Sequence, residues 1–120
     1  MDIYAPCALG ATLNSETIPQ LRCAIVSGAA NNQLLDEKVH AQMLKDRGIV
    51  YAPDFLINAG GIISVYAEVA SYNKQKTMEE TAKIYDTTLF ILNIAKEQNI
   101  TTAQAALNVA MARIQLASRN

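Results

Sequence analysis

Three short loops, rich in glycine, alanine and asparagine, limit most strongly what this chain can fold into. Each loop follows an apolar run: the runs lie at residues 3–6, 24–26 and 49–53, and the loops at residues 7–11, 27–33 and 58–61. The carboxyl ends of parallel strands meet at one edge of an open sheet, where ligands bind, so we expect the loops to lie together there. Their small residues and carboxamides predict a site lined by backbone and amide groups instead of charged side chains.

Helical patterns follow the apolar runs in the first half of the chain. We expect a short helix over residues 18–21, a second over residues 34–46 and a third that begins at Gly61. On the second helix an apolar stripe should include Leu35 and Val39. Strands that alternate with helices indicate βαβ units, so the predicted fold class is α/β with about three parallel strands.

The last third of the chain has no strand pattern and predicts two consecutive helices. Thr77 with Glu80, and Thr101 with Gln104, have the spacing of capping boxes. We expect the first of these helices to end near Gln98.

Three strands make only half of the doubly wound dinucleotide-binding fold, which is built from two such halves. We therefore expect residues 1–72 to be the second half of an NAD-binding Rossmann domain and residues 73–120 to be a C-terminal helical segment. The first half, with its G-x-G-x-x-G turn and acidic ribose-binding residue, is expected to be missing.

The composition excludes several classes of function. The formal net charge is −1 over 120 residues, without the basic stripe that nucleic acid or an anionic membrane would need. No apolar run approaches the roughly 18 residues that span a bilayer. The cysteines, Cys7 and Cys23, form neither a disulfide framework nor a metal-binding pair, so we expect a reduced, cytoplasmic setting and no metal.

Three segments carry a specific similarity to known proteins: residues 2–11, 28–34 and 48–61. In order and spacing they resemble the amino-acid dehydrogenases that act on glutamate, leucine, phenylalanine and valine, and most of all the leucine dehydrogenases. The resemblance covers the whole chain and is weaker in the final helices. It implies an oligomeric enzyme that converts a branched-chain L-amino acid, NAD and water reversibly into a 2-oxo acid, ammonia and NADH.

The resemblance also implies which loops meet the cofactor. It assigns four residues to the nicotinamide-ribose end of NAD: Cys7, Ala8, Leu9 and Gly10. Small residues there would let the backbone approach a flat ring without a side-chain clash. A tight strand-to-helix connection without any ligand explains the same residues equally well.

Three carboxamides are placed by the resemblance near the nicotinamide amide and the reacting centre: Asn31, Asn32 and Asn58. An asparagine side chain offers both a donor and an acceptor, so it can orient a carboxamide or an amine without adding charge. Asn32 can instead cap the helix that begins near Leu34. For Asn58, capping of the following helix is compatible with ligand contact.

Ile62 and Val65 lie three residues apart on one helical face. The resemblance places them in the substrate side-chain pocket, where glutamate-specific members carry a serine in place of Val65 and phenylalanine-specific members a smaller residue in place of Ile62. An unpaired, desolvated carboxylate there would cost several kcal/mol, so the pocket should reject glutamate and favour aliphatic substrates. Alternatively, both residues belong to the core.

The resemblance places the catalytic lysine, a substrate-binding lysine and a proton-handling aspartate in an N-terminal domain that this chain lacks. None of the lysines has the glycine-rich setting of the catalytic one: they are Lys38, Lys45, Lys74, Lys76, Lys83 and Lys96. We expect His40 to be solvated and Cys7 to be a small buried residue. No catalytic residue is therefore expected, and the isolated chain should be inactive.

Two other classes of protein are compatible with the same sequence. One is a truncated, non-catalytic module that self-associates or binds a full-length partner, and the placement of Met1 directly before the matching segment supports it. The other is a domain that binds a different nucleotide or metabolite at the same edge.

Overall fold

A three-stranded parallel sheet forms the centre of the computed structural model, which describes residues 1–70 and 73–118. Its strands, in spatial order, are β1 (Ile3–Tyr4), β2 (Ile25–Val26) and β3 (Val50–Tyr51). Ile25 lies opposite Ile3 on one side and Val50 on the other. The predicted α/β class and the parallel sheet are confirmed.

Five α-helices and one 3-10 turn accompany the sheet in the described part of the chain. They are the 3-10 turn Ile18–Gln20, α1 (Glu37–Asp46), α2 (Asp54–Ile57), α3 (Gly60–Val69), α4 (Lys74–Glu97) and α5 (Thr102–Ala117). The four-residue helix α2 was not predicted, because a single turn is too short to show helical periodicity. None of these helices combines the length and apolarity needed to cross a bilayer.

Helix α1 begins three residues later than predicted, because Asp36 supplies its cap. The Asp36 carboxylate accepts a hydrogen bond from the Val39 backbone N–H at 2.9 Å. The expectation that Asn32 caps this helix is therefore wrong. The predicted apolar stripe is also wrong in part, since Leu35 and Val39 are exposed.

His40, expected to be solvated, is buried on the inner face of α1. Its Nδ1 accepts the Asp36 backbone N–H at 2.8 Å, and its Nε2 lies 3.1 Å from the Ser15 hydroxyl oxygen. Nδ1 must be unprotonated to accept that bond, so in the neutral ring Nε2 carries the proton and donates it to Ser15. The contact between His40 and Ser15 therefore ties α1 to the segment that precedes it. Because Nε2 donates in this contact, His40 does not provide a base for a serine nucleophile.

The two long C-terminal helices differ in how well their starts were predicted. The expected cap at Thr101 is confirmed, since its hydroxyl accepts from the Gln104 N–H at 3.2 Å. The box at Thr77 is wrong: α4 begins at Lys74, capped by Asn73, and the Thr77 hydroxyl donates to the Asn73 carbonyl at 2.9 Å. The chain division proposed at residue 72 falls on residues 71 and 72, which lie outside the described residues.

Two apolar clusters hold the molecule together, and α5 takes part in both. The first surrounds the sheet and includes Leu13, Ile18, Val26, Leu44, Tyr51 and Ala103. The second lies between α4 and α5 and consists of Ile91, Ala95, Ala105 and Ala106. In addition, the Thr102 hydroxyl donates to the Tyr51 carbonyl at 2.6 Å, which fixes the end of β3 against α5.

Candidate functional site

The loops after β1 and β2 meet at the carboxyl edge of the sheet, as the alternation of strands and helices predicts. Their backbones bond directly to each other. The Ala11 N–H donates to the Asn32 carbonyl at 2.7 Å, and the Ala30 N–H donates to the Pro6 carbonyl at 3.0 Å. The two loops are therefore joined to each other by backbone hydrogen bonds at this edge.

Two glycines let these loops approach so closely. A Cβ at Gly28 would lie 2.1 Å from the Pro6 carbonyl oxygen, far inside contact distance, so only glycine fits there. A Cβ at Gly10 would lie 2.9 Å from the Asn31 carbonyl oxygen. Contact between the loops alone accounts for both glycines, so their small size is not by itself a sign of a ligand.

Cys7 stands at the tip of the first loop, and the expectation that it is buried is wrong. Its side chain is exposed, as are the side chains of Ala8 and Leu9 and the backbone of Gly10. The Cys7 sulfur accepts a hydrogen bond from the Ala29 N–H at 3.4 Å. The four residues thus form an open ledge that is bonded to the second loop.

Two of the three expected carboxamides contact each other. The Asn58 side-chain nitrogen donates to the Asn31 side-chain oxygen at 2.5 Å and lies 3.4 Å from the Ala29 carbonyl. This contact uses the acceptor of Asn31 and the donor group of Asn58. The amide nitrogen of Asn31 and the amide oxygen of Asn58 take no part in it, so the pair keeps both donor and acceptor capacity for a ligand. Asn58 ends α2 and does not cap α3 with its side chain.

Asn32 is placed differently from its neighbour Asn31. Its φ of +52° is in the left-handed region, which asparagine tolerates better than most residues. Asn32 lines a cavity of about 400 Å³ together with residues that include Asp54, Phe55 and Leu107. Asn32 therefore shapes the backbone of the loop and faces a different space from the Asn31–Asn58 pair.

Asp54 and Gln33 take part in the site although sequence reasoning did not single them out. The two oxygens of Asp54 accept the Gln33 N–H at 2.9 Å and the Phe55 N–H at 2.6 Å. Burial raises the pKa of the Tyr51 phenol above its ordinary range, and the negative charge of Asp54 raises it further. One signal in the sequence could have identified Asp54: it directly follows Pro53, the last residue of the third apolar run.

Ile62 and Val65 lie on the outer face of α3, the helix that begins two residues after Asn58. They are 72% and 62% exposed, so the alternative that they belong to the core is wrong. Tyr66 and Val69 extend this apolar stripe along the helix. Both predicted pocket residues are therefore accessible, on the helix that follows Asn58 in the chain.

The lysines of the chain are exposed to solvent or bonded to polar groups of the chain. Every lysine is exposed except Lys45, which is half-buried and donates to the Asn99 carbonyl and side-chain oxygens at 2.5 and 2.9 Å. A catalytic lysine would need desolvation to lower its pKa. No group of three histidine, cysteine or acidic residues that could hold a metal occurs in the described part of the chain.

Comparison with known proteins identifies the family. The family model described as Glutamate/Leucine/Phenylalanine/Valine dehydrogenase matches residues 1–120. The chain belongs to this family. It is 52% identical over all of its length to the L-tryptophan dehydrogenase of Nostoc punctiforme, and 50% identical over 115 residues, 96% of the chain, to the leucine dehydrogenase of Thermoactinomyces intermedius. It covers 34% and 31% of those two proteins.

Solved structures agree with the family assignment. The crystal structure of the L-tryptophan dehydrogenase from Nostoc punctiforme matches the whole chain with a TM-score of 0.94, and the chain covers 36% of it. Glutamate dehydrogenase from Peptoniphilus asaccharolyticus matches 96% of the chain with a TM-score of 0.76 at 24% identity, which shows a shared fold; the chain covers 30% of it. The chain thus spans about a third of the length of the relatives it matches.

Proposed function

We propose that the chain forms the nicotinamide edge of an NAD-dependent L-amino-acid dehydrogenase, together with part of its apolar substrate pocket. Membership of the family supports the class of reaction. The observation that carries the assignment of the edge is the Asn31–Asn58 amide pair on the interlocked loops, next to the apolar outer face of α3.

The groups at this edge fit a nicotinamide. Its carboxamide has one carbonyl and one amino group, which match the remaining amide nitrogen of Asn31 and amide oxygen of Asn58. The exposed ledge of residues 7–10 would lie along the adjoining ribose. A bound nicotinamide would accept the hydride from the α-carbon of the substrate, and the residues of this chain would orient both partners.

The pocket residues favour an aliphatic substrate. Ile62 and Val65 have no polar side-chain atoms, so a γ-carboxylate against them would be unpaired and desolvated. We therefore propose leucine, valine or isoleucine as the substrate and expect glutamate to be rejected. Discrimination among the aliphatic amino acids should be loose, since one methylene is worth about 1–3 kcal/mol.

A chimera tests this proposal directly. Residues 1–120 would replace the matching segment of the Nostoc punctiforme L-tryptophan dehydrogenase, to which they are 52% identical with a TM-score of 0.94. We expect the chimera to reduce NAD with leucine at least about tenfold more efficiently than with glutamate, the ratio that about 1.4 kcal/mol gives. Tryptophan and phenylalanine belong in the same assay, because a preference for either would contradict the aliphatic assignment.

A single substitution in the chimera tests the role of the pocket. Val65→Ser supplies a hydroxyl to a γ-carboxylate, so the efficiency with glutamate should rise relative to that with leucine. Val69→Ser is the matched control, since it makes the same change one turn further along the exposed face of α3. An equal effect of the two variants, or a folded chimera that oxidises no amino acid, would contradict the proposal.

A second candidate function is a non-catalytic module that associates with itself. The apolar stripe of α3 and the exposed lysines favour it, because the stripe is available for contact and no lysine is set up for catalysis. We propose a homo-oligomer in either case, and in this second case the outer face of α3 would form the contact. A cytoplasmic location is proposed as well, supported by the free thiols of Cys7 and Cys23.

A further inference from the structure

One side chain beneath the second loop is completely buried and bonded only to that loop. The side-chain nitrogen of Gln33 donates to the Gly28 carbonyl at 2.6 Å and to the Ala30 carbonyl at 2.9 Å. These two carbonyls lie on the segment that leads into Asn31. Gln33 therefore holds in place the part of the second loop that leads into Asn31, one member of the amide pair.

The orientation of the Gln33 amide is fixed by chemistry. Two carbonyl oxygens can accept only from the NH₂ group, so the opposite orientation would set oxygen against oxygen. The Gln33 side-chain oxygen is buried and has no partner among the described residues. An orphaned buried carbonyl lowers stability, and a methionine of similar length would fill the space without it. What the glutamine adds over an apolar side chain is its pair of bonds to the loop.

The backbone of Gln33 is itself held on two sides. Its N–H donates to the Asp54 carboxylate at 2.9 Å, and its carbonyl accepts from the Leu13 N–H at 3.0 Å. The backbone of Gln33 is therefore bonded to the start of α2 and to the segment after the first loop. Because its backbone is bonded on both sides, the Gln33 side chain can hold the second loop in a fixed position relative to the sheet edge.

We propose that Gln33 is a positioning residue of the cofactor site. It holds the Gly28 and Ala30 carbonyls so that Asn31 meets Asn58 and presents its remaining amide group to the nicotinamide carboxamide. It acts through Asn31 and does not touch the cofactor. This inference rests on the proposed function.

Amide hydrogen exchange in the 120-residue chain tests the brace without any cofactor. Gln33→Met removes both donors, so exchange of the Ala30 N–H, which bonds to Pro6, should speed up about tenfold, as the loss of roughly 1.4 kcal/mol gives. The Ala52 N–H, bonded to Val26 within the sheet, should be unchanged. The control is Gln42→Met on the exposed face of α1, where the amide bonds only to Asp46.

Titration with NAD, followed by NMR, tests the link to the cofactor. Gln33→Met should raise the dissociation constant at least about fivefold, as the loss of one to two hydrogen bonds implies, and Gln42→Met should not change it. In Gln33→Glu, burial raises the pKa of the introduced carboxyl, and its protonated form regains one donor. As the pH falls from 8 to 5, this variant should therefore regain NAD affinity and the protection of the Ala30 N–H from exchange, each measured relative to the wild-type chain at the same pH. Gln33→Met should regain neither.

The outcomes separate the two proposals. A wild-type chain in which NAD shifts no amide of the two loops contradicts the proposed cofactor edge, and the exchange data then decide whether Gln33 braces the loop. Normal NAD affinity in Gln33→Met overturns the positioning role even if exchange is faster. Unchanged Ala30 exchange, or unfolding of both Gln33 variants, also overturns it, because Gln33 would then be dispensable or a determinant of the core.

Discussion

At the scale of single residues, the tightest constraint at the edge is Gly28. Gly28→Ala would place a methyl group 2.1 Å from the Pro6 carbonyl oxygen, so the two loops would have to separate. We expect a loss of about 2 kcal/mol or more in the free energy of unfolding, measured in urea. Gly61→Ala, in α3 with open space around its added carbon, should instead gain roughly 0.5–1 kcal/mol. A stable Gly28→Ala variant would show that the loops are not locked together.

The Tyr51 phenol should make the fold sensitive to alkali. Burial and the charge of Asp54 raise its pKa in the folded state above the ordinary value of about 10, so the unfolded chain releases this proton first. Stability is then fully present below about pH 9 and is lost as the pH rises above 10, at up to about 1.4 kcal/mol per pH unit. Urea unfolding between pH 8 and pH 11 should show this loss.

Tyr51→Phe should flatten the alkaline loss, because it removes the phenol that resists ionisation. The matched control is Tyr85→Phe, whose side chain is exposed on α4. If both variants lose stability with pH as the wild type does, the loss arises elsewhere.

Sequence reasoning reached these residues to different degrees. The nearness of Asn31 and Asn58 agrees with strand order, since β2 and β3 are neighbours, but the helix α2 that stands between β3 and Asn58 was not predicted. The burial of His40 and Gln33 could not be predicted, because it depends on individual polar contacts: His40 bonds to the Ser15 hydroxyl and the Asp36 N–H, and Gln33 bonds to loop carbonyls. A polar side chain that bonds to backbone leaves no periodic pattern in a sequence.

At the scale of elements, the two predicted capping boxes provide a direct comparison. Thr101→Ala removes the acceptor of the Gln104 N–H at the start of α5 and should cost about 1 kcal/mol. Thr77→Ala, inside α4, should change stability by less than about 0.5 kcal/mol. Urea unfolding of both variants measures the difference. Equal losses would mean that the Thr101 cap does not limit the stability of α5.

The elements that were predicted well are those whose signals are local. The end of α4 near Gln98 and the cap of α5 at Thr101 were both predicted from local patterns. The predicted starts of α1 and α4 were wrong, because more than one asparagine, aspartate or threonine residue near each start could act as the N-cap. Which of these residues caps the helix depends on the path of the preceding loop.

At the scale of the whole molecule, α5 unites the sheet with α4. Ala103 packs in the cluster around the sheet, while Ala105 and Ala106 pack against α4. Small residues on both sides of one helix let it lie between two layers. Helix α5 therefore links β3 and α1 to α4.

The whole chain, taken alone, should orient ligands without performing the reaction. The resemblance assigns proton transfer to a desolvated lysine, whereas the lysines here are exposed or, for Lys45, bonded to Asn99. We expect no NADH above the blank when the purified chain is incubated with NAD and leucine, valine, glutamate or tryptophan, followed by absorbance. The chimera described above, at equal molar concentration, is the positive control. Leucine-dependent NADH from the chain alone would mean that it carries its own proton-transfer group, and the exposed lysines would then have to be replaced one by one to find it.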